Sequence, residues 1–431
     1  MAASRSRTPR TPSRSVSPGS PPARRSTPVD LSLADKAKEG LVTAACDEGD
    51  VAALVGLCTS THGLVSDGLR RTAWPILLGC RNTDTDTDSE TDTDTHADDL
   101  PAHREEGQVA LDVNRAFVYY PKHDSEKELD HRKRELSMVI LEVLRRHPAL
   151  SYFQGYHDIV QVLYLVLGVR AAPRAAARLS LLRIRDFMLS SLEPAIAQLE
   201  LLRPLLQHAD PVLYTHLPKS SATFALAGTI TMFAHNITVY KDITRLFDFF
   251  LAHHAVMPLY FFAAVVLSRR EELLEIDKED EDILHVMLSK LPEPFDIEFH
   301  IARSIELYER LPPSTLHSWE WWRISSSSVL KTSGTLADLQ RLPLAAGERY
   351  FAQQEKEVCR QQFQKQLLQQ ASRNFKFFQS RLWHYRRFGA VSFAVAVGLY
   401  ALWLGKNGSI GPAQYPLFGY LDMLLRRFWG A

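Results

Sequence analysis

Two short segments of this chain carry side chains that could act chemically on a partner. The first is Val109–Arg115, in which Asp112 precedes Arg115 by three residues. On a helix or tight turn, an aspartate at this spacing can hold a guanidinium group by a charge-assisted hydrogen bond. Pairs of this kind are also common on protein surfaces, where they contribute little. Taken alone, the segment predicts an oriented arginine and leaves its target open.

The second segment is Ser151–Asp158, with the sequence SYFQGYHD. It places Gln154 beside Gly155 among aromatic side chains, and a glycine lets a partner approach the backbone closely. His157 and Asp158 follow directly. Two interpretations of this last pair are open from the residues alone: a general acid–base pair, or structural residues at the start of the next helix.

In this order and at this separation, the two segments resemble the catalytic motifs of the TBC-domain Rab GTPase-activating proteins, IxxDxxR and YxQG. Asp112 and Arg115 match the first motif, and Tyr152, Gln154 and Gly155 match the second. The first motif departs at its first position, which is valine instead of isoleucine. In this family the histidine and aspartate after the second motif lie on the next helix, which favours the structural interpretation of that pair.

The family resemblance extends beyond the two motifs and covers about residues 57–312. Arg71 and Trp74 match an opening R-x-x-W helix, and Arg245–Leu251 resembles a later R-x-x-D-x-F-L helix. The likeness is greatest to the branch that is anchored in the endoplasmic reticulum. Gly228 is a departure, because relatives commonly carry a tryptophan in that helix. This departure concerns the partner surface and not the chemistry.

The resemblance implies that the chain stimulates GTP hydrolysis by a Rab GTPase of the early secretory pathway, between endoplasmic reticulum and Golgi. Arg115 would stabilise charge on the transferred phosphoryl group, and Gln154 would orient the attacking water. Asp112 would position Arg115, while Tyr152 and Gly155 would shape the glutamine loop. GTP and Mg²⁺ would belong to the Rab, so no cofactor or metal of the chain's own is expected. A non-catalytic Rab-binding scaffold and a membrane tether are the alternatives.

Composition and charge argue against several other classes of function. Lys+Arg and Asp+Glu both number 50, so no net field would draw the chain onto nucleic acid. A hydrophobic content of 45% over 431 residues suits a globular protein with a sizeable core. The four cysteines form no CxxC pair and indicate neither a zinc site nor a disulfide framework: Cys46, Cys58, Cys80 and Cys359.

Apolar spacing predicts an all-α domain over residues 36–312, and the resemblance implies two helical subdomains. The clearest helix has five apolar residues on one face: Leu136, Val139, Ile140, Val143 and Leu144. Other runs are each about one helix long: Ile159–Val169, Leu179–Leu192, Ile196–Leu206, Ala222–Ala234, Ile243–Leu251, Tyr260–Leu267 and Glu298–Arg310. No alternating strand pattern interrupts them.

Two segments lack this helical pattern. Residues 1–35 are rich in serine, proline and arginine, which predicts a disordered arm because they cannot bury enough apolar surface. Residues 83–100 begin with a Thr-Asp repeat and predict an acidic loop inserted in the domain. Metal binding by these carboxylates is a weaker alternative, because the repeat lacks the glycine turn and the bidentate glutamate of a calcium loop.

The predicted domain is followed by a linker and helix over residues 313–380. Its first part carries Trp319, Trp321 and Trp322, which we expect to pack on the domain. Its second part is rich in glutamine, glutamate and lysine, which are strong helix formers. Too few apolar residues line this part for a coiled coil.

Residues 388–405 contain no charged side chain and predict a transmembrane tail anchor. At about 1.5 Å per residue they span about 27 Å, close to the thickness of a bilayer core. The basic residues just before this segment predict that the domain faces the cytosol, which would leave residues 406–431 as a short lumenal tail. A buried helix of the domain is the alternative.

Overall fold

The structure, a computed structural model, describes residues 33–80, 99–122, 125–219 and 221–406. Within these ranges, the side chains of residues 377–388, 390–391 and 404–405 are not described. The predicted arm up to residue 32, the Thr-Asp repeat and the predicted tail after Lys406 lie outside the described residues.

All regular secondary structure in the described ranges is helical, which confirms the predicted all-α class. The first half contains α1 Leu33–Glu48, α2 Val51–Thr59, α3 Asp67–Leu77, α4 Glu106–Val113, α5 Glu126–Arg146, α6 Tyr156–Leu182, α7 Glu193–Leu199, α8 Leu202–Ala209 and α9 Pro211–His216. The second half contains α10 Leu226–Ile230, α11 Tyr240–Ala252, α12 Met257–Ser268, α13 Arg270–Glu275, α14 Glu281–Leu288, α15 Ile297–Arg310, α16 Trp319–Arg323, α17 Val329–Thr332, α18 Leu336–Arg341 and α19 Leu344–Lys406. Short 3₁₀ turns cover Arg185–Phe187, Ala222–Ala225 and Pro313–Thr315.

The chain divides into two compact units after Glu355. In the first unit, α5 packs along α6 with the five apolar residues that the sequence placed on one face, and all five are buried. Ser125 caps the start of α5 by accepting a hydrogen bond from the Glu128 N–H at 3.3 Å. Arg145 and Arg146 stand in its last turn, where the helix dipole favours positive charge.

Three of the predicted helices have the wrong extent. The run Leu179–Leu192 is not one helix, because α6 ends at Leu182. There the chain turns so that the Arg183 guanidinium can donate to the Phe250 carbonyl at 2.7 Å, at the end of α11. The run Ile196–Leu206 is split between α7 and α8. In the third, Ala222–Ala234, α10 ends early because the next turn carries positive φ angles at Met232 and Phe233 (50° and 63°).

The predicted packing of the three tryptophans is wrong for two of them. Trp319 and Trp322 are 72% and 67% exposed. Trp321 is half-buried, and the Lys331 ammonium lies 5.2 Å from its ring centroid. Trp319 and Trp322 are three residues apart on α16 and share its exposed face, whereas Trp321 lies on another face.

Residues 313–355 belong to the first unit, and buried polar side chains fasten them to it. Asp186 is 1% exposed and accepts hydrogen bonds from the Val329 N–H at 3.1 Å and from Gln354 Nε2 at 2.9 Å. Arg185 donates to the Ser327 carbonyl, and its burial lowers its pKa to about 10. Because removal of the segment would take hydrogen-bond partners from both buried side chains, we expect residues 313–355 to be needed for stability.

The opening helix is joined to α11 by a buried ion pair. Asp248 is fully buried, and its carboxylate accepts hydrogen bonds from Arg70 Nη2 at 2.9 Å and from Trp74 Nε1 at 2.8 Å. Arg71, which the sequence comparison matched to the family's helix, instead donates to the Val166 carbonyl at 2.9 Å. Both arginines therefore tie α3 to other helices of the core.

Candidate functional site

The candidate site begins at the end of α4, where a buried carboxylate holds an exposed guanidinium. Asp112 is almost fully buried, whereas the Arg115 side chain is 69% exposed. Arg115 Nη2 donates to Asp112 Oδ1 at 3.3 Å, and its Nε lies 3.5 Å from the Leu111 carbonyl. Because Asp112 is fixed in the interior, this pair differs from an ordinary surface ion pair. The Arg115 side chain is exposed to solvent, but its guanidinium is held by a buried carboxylate.

Two further side chains hold Asp112 in place. Gln108 Nε2 donates to Oδ1 at 3.1 Å, and the Tyr152 hydroxyl donates to Oδ2 at 2.9 Å. Burial and the nearby Asp112 charge raise the pKa of Tyr152 far above its usual value, so its hydroxyl remains a donor at any physiological pH. Tyr152, the first residue of the second motif, therefore holds the Asp112 carboxylate of the first motif.

The turn that carries Gln154 depends on glycine. Tyr152 and Phe153 are buried and Gln154 is exposed. Gly155 follows with φ = 100°, a backbone conformation that side chains disfavour. A Cβ at this position would lie 2.5 Å from Thr231 Cγ2, so a side chain would also clash. The backbone is thus held in a sharp turn that directs the glutamine away from the core just before α6 begins.

Three residues beyond the predicted site continue the same network of contacts. His157 Nδ1 lies 3.2 Å from the Tyr152 hydroxyl oxygen, and its Nε2 lies 3.2 Å from Asp158 Oδ1. His235 Nδ1 lies 3.1 Å from Asp158 Oδ2. The sequence singled out His157 and Asp158 but gave no signal for His235, which is 77 positions from its partner.

Exposed apolar side chains flank Arg115 along the chain. Leu111 precedes it on α4, and Val118 and Tyr119 follow it. Phe117 turns the chain between them with φ = 63°, and its N–H donates to Gln161 Oε1 at 3.0 Å in the interior. An aromatic residue in this conformation is strained, and that buried hydrogen bond holds it. The result is an apolar rim beside a guanidinium, which suits a protein partner.

The polar groups that this site exposes are hydrogen-bond donors and not metal ligands. Within the parts of the chain that the structure describes, no three His, Cys, Asp or Glu side chains are grouped so that they could hold a metal ion. The two motifs present an exposed guanidinium, Arg115, and an exposed amide, Gln154. Groups of these kinds can stabilise charge and orient water on a substrate bound by another molecule.

Comparison with known proteins identifies the family to which this fold belongs. The profile of the Rab-GTPase-TBC domain matches residues 67–274. TBC1 domain family member 20 is similar over 62% of this chain in Bos taurus (36% identity) and over 63% in Homo sapiens (35% identity). The GTPase-activating protein gyp10 of Schizosaccharomyces pombe is 32% identical over 66% of this chain and 75% of its own length. The chain belongs to the Rab-GTPase-TBC family, and the resemblance inferred from its motifs is confirmed.

These similarities do not extend over whole proteins. The match spans 65% of the length of the bovine relative and 66% of the human one. In the helix where relatives commonly carry a tryptophan, a Cβ on Gly228 would lie 3.1 Å from the Phe233 ring. Phe233 is buried and occupies that space, so a larger residue at 228 would require this ring to move.

Proposed function

We propose that this protein is a GTPase-activating protein that stimulates GTP hydrolysis by a Rab GTPase, with Arg115 and Gln154 supplied in trans. One observation carries the proposal: the exposed guanidinium of Arg115 is anchored by a carboxylate that is itself buried and held by Tyr152. A side chain held in this way loses little freedom when it enters a partner's active site.

The proposed chemistry is phosphoryl transfer from GTP to water. Negative charge spreads over the γ-phosphoryl oxygens in the transition state, and the planar Arg115 guanidinium can bond two of them. An arginine supplied in this way is worth about 10³- to 10⁵-fold in rate, or about 4 to 7 kcal/mol. Gln154 would orient the attacking water, Asp112 and Tyr152 would hold Arg115, and Gly155 would permit the glutamine turn. The Rab would bring both GTP and Mg²⁺.

We further propose that α19 anchors the protein in a membrane, with residues 388–405 as the transmembrane segment. The apolar part whose side chains are described, Ser392–Trp403, is exposed on every face, including Phe393 and Leu402. Such a helix is costly in water and stable in lipid. Among the described residues, one helix, α6, is long and apolar enough to span a bilayer. However, 67% of its most apolar 18 residues are buried, as expected of a core helix.

The proposed location is the endoplasmic reticulum or another early secretory membrane, with the catalytic domain in the cytosol. Arg381, Arg386 and Arg387 precede the apolar segment, and basic residues of this kind favour the cytosolic side. The resemblance to the branch anchored in that membrane supports the same location. The proposed substrate is accordingly an early-secretory Rab in its GTP-bound form.

Single-turnover hydrolysis tests the proposed activity. Full-length protein in detergent is mixed with a panel of GTP-loaded Rabs, and phosphate release is followed beside binding of each Rab. We expect at least one Rab to hydrolyse GTP about 10³-fold faster than it does alone. Binding without acceleration would identify a non-catalytic scaffold. Neither binding nor acceleration with any Rab would leave the membrane tether as the remaining function.

Two substitutions in the apolar part of α19 test the anchor. We expect Val397→Arg combined with Leu399→Arg to release the protein from membranes into the soluble fraction, because each arginine costs about 3 kcal/mol at the centre of a bilayer. The matched control places two arginines on the polar part of the same helix, at Gln369 and Gln370. Carbonate washing and sedimentation measure the outcome. If the first variant sediments like the control, the anchor assignment is wrong.

A further inference from the structure

His157 lies between Tyr152 of the candidate site and Asp158, which contacts the exposed His235. The Tyr152 hydroxyl gives its one proton to Asp112, so its oxygen can only accept a hydrogen bond from His157 Nδ1, 3.2 Å away. On the other side of the ring, Nε2 faces Asp158 Oδ1 at 3.2 Å. The first contact has the geometry of a hydrogen bond, and the second is an ion pair by distance, which is strongest when the ring carries a positive charge.

His235 completes the far end of this chain of contacts. Its side chain is 63% exposed, and its Nδ1 lies 3.1 Å from Asp158 Oδ2. Asp158 thus lies between two histidines, and its carboxylate is fixed by the outer one. A shift of Asp158 would change the charge that His157 faces, then the hydrogen bond from His157 to Tyr152, and finally the position of Asp112.

We propose that His157, Asp158 and His235 are positioning residues for the arginine finger, which act on Arg115 through Tyr152 and Asp112. The proposal rests on the proposed function of Arg115 and extends it to residues on the other side of the network. The five contacts from Arg115 to His235 form one unbroken chain, with separations of 3.3, 2.9, 3.2, 3.2 and 3.1 Å.

The protonation of His157 gives this chain a dependence on pH. Burial lowers the pKa of His157, with Asp158 and Asp112 acting against this effect and His235 and Arg115 adding to it. The hydrogen bond to Asp158 raises the pKa of His235. The doubly protonated ring is positively charged, so it can donate to Tyr152 and attract the Asp158 carboxylate at the same time, and it is present below its pKa. As the pH rises through that value, the ring loses its charge and with it most of the attraction to Asp158.

The test measures kcat and KM for the responsive Rab with full-length variants. We expect His157→Ala and Asp158→Asn to lower kcat about 10-fold with KM nearly unchanged, because the finger is displaced and not removed. His235→Gln should lower kcat about 3-fold. The matched control is His131→Gln, another exposed histidine, which pairs with Glu135 at 3.4 Å on α5. Thermal unfolding of each variant identifies any that fail to fold.

The conservative variant His157→Gln separates positioning from packing. Glutamine keeps one donor and one acceptor but cannot be charged, so its kcat should exceed that of the alanine variant. Relative to this variant, the wild-type rate should increase as the pH falls from 7.5 to 5.5. Comparison at each pH removes the Rab's own pH dependence. A flat ratio, with all three positions equal to the His131→Gln control, would overturn the proposal. Loss of response in Arg115→Ala in the same assay would show that the proposed function itself still stands.

Discussion

Replacing either Arg115 or Gln154 by alanine is expected to lower the rate at which this protein makes its Rab hydrolyse GTP by at least about 10²-fold. Both side chains are exposed and lie outside the core, so their removal should change the fold little. In the proposed mechanism the loss comes from the transition state, where the guanidinium would neutralise developing charge and the amide would orient water. Arg115→Lys should also fail, because an ammonium group cannot span two phosphoryl oxygens as the planar guanidinium does.

Single-turnover phosphate release measures these rates, and Rab binding is followed in parallel so that a lost interface is not mistaken for lost chemistry. Arg134→Ala and Gln207→Ala are matched controls, since both side chains are exposed on helices outside the site. The double variant of Arg115 and Gln154 should be little worse than the poorer single variant, because both act in one transition state.

The role of Gln154 has a separate test in the partner. If Gln154 orients the water, a Rab whose own switch glutamine is replaced should still respond to the intact protein. If Gln154→Ala instead keeps full activity while the Rab's glutamine is essential, the two-residue mechanism is wrong. Arg115 would then be the single group supplied in trans.

The parts of this structure that the sequence could predict are those governed by short spacings. The apolar face of α5 repeats every three or four residues, so its burial followed from the sequence. The pairing of Asp112 with Arg115 also lies within one helical turn. The family motifs added Gln154, Tyr152 and Gly155, whose positive φ angle explains why that motif requires glycine.

The parts that could not be predicted depend on contacts between distant segments. Tyr152 donates to Asp112 across 40 positions, and His235 meets Asp158 across 77. Periodicity carries no information about such pairs, because it concerns neighbours on one element. The early end of α6 has the same origin: Arg183 is drawn inward to bond the carbonyls at the end of α11. Local propensity alone would have continued that helix.

Asp248→Ala is expected to have the largest effect on stability of any single substitution described for this protein. The carboxylate is fully buried and accepts hydrogen bonds from Arg70, from Trp74 and from the Leu64 N–H at 3.0 Å. Burial opposes the charge of Arg70, yet Asp248 and Asp67 together raise its pKa. Removing Asp248 would leave a buried guanidinium without its main partner, at a cost of about 3 to 5 kcal/mol.

The expected result is a fall of at least about 6 °C in the midpoint of thermal unfolding. Asp242→Ala is the control on the same helix; burial raises the pKa of that carboxyl, and it should cost under about 1 kcal/mol. Asp248→Asn keeps a similar shape without the charge and should still be strongly destabilising. Adding Arg70→Met to Asp248→Ala removes the unpaired charge and should recover part of the loss, because the two side chains are coupled. A double variant no more stable than Asp248→Ala would show that the hydrogen bonds to Trp74 and Leu64, and not the ion pair, hold α3 against α11.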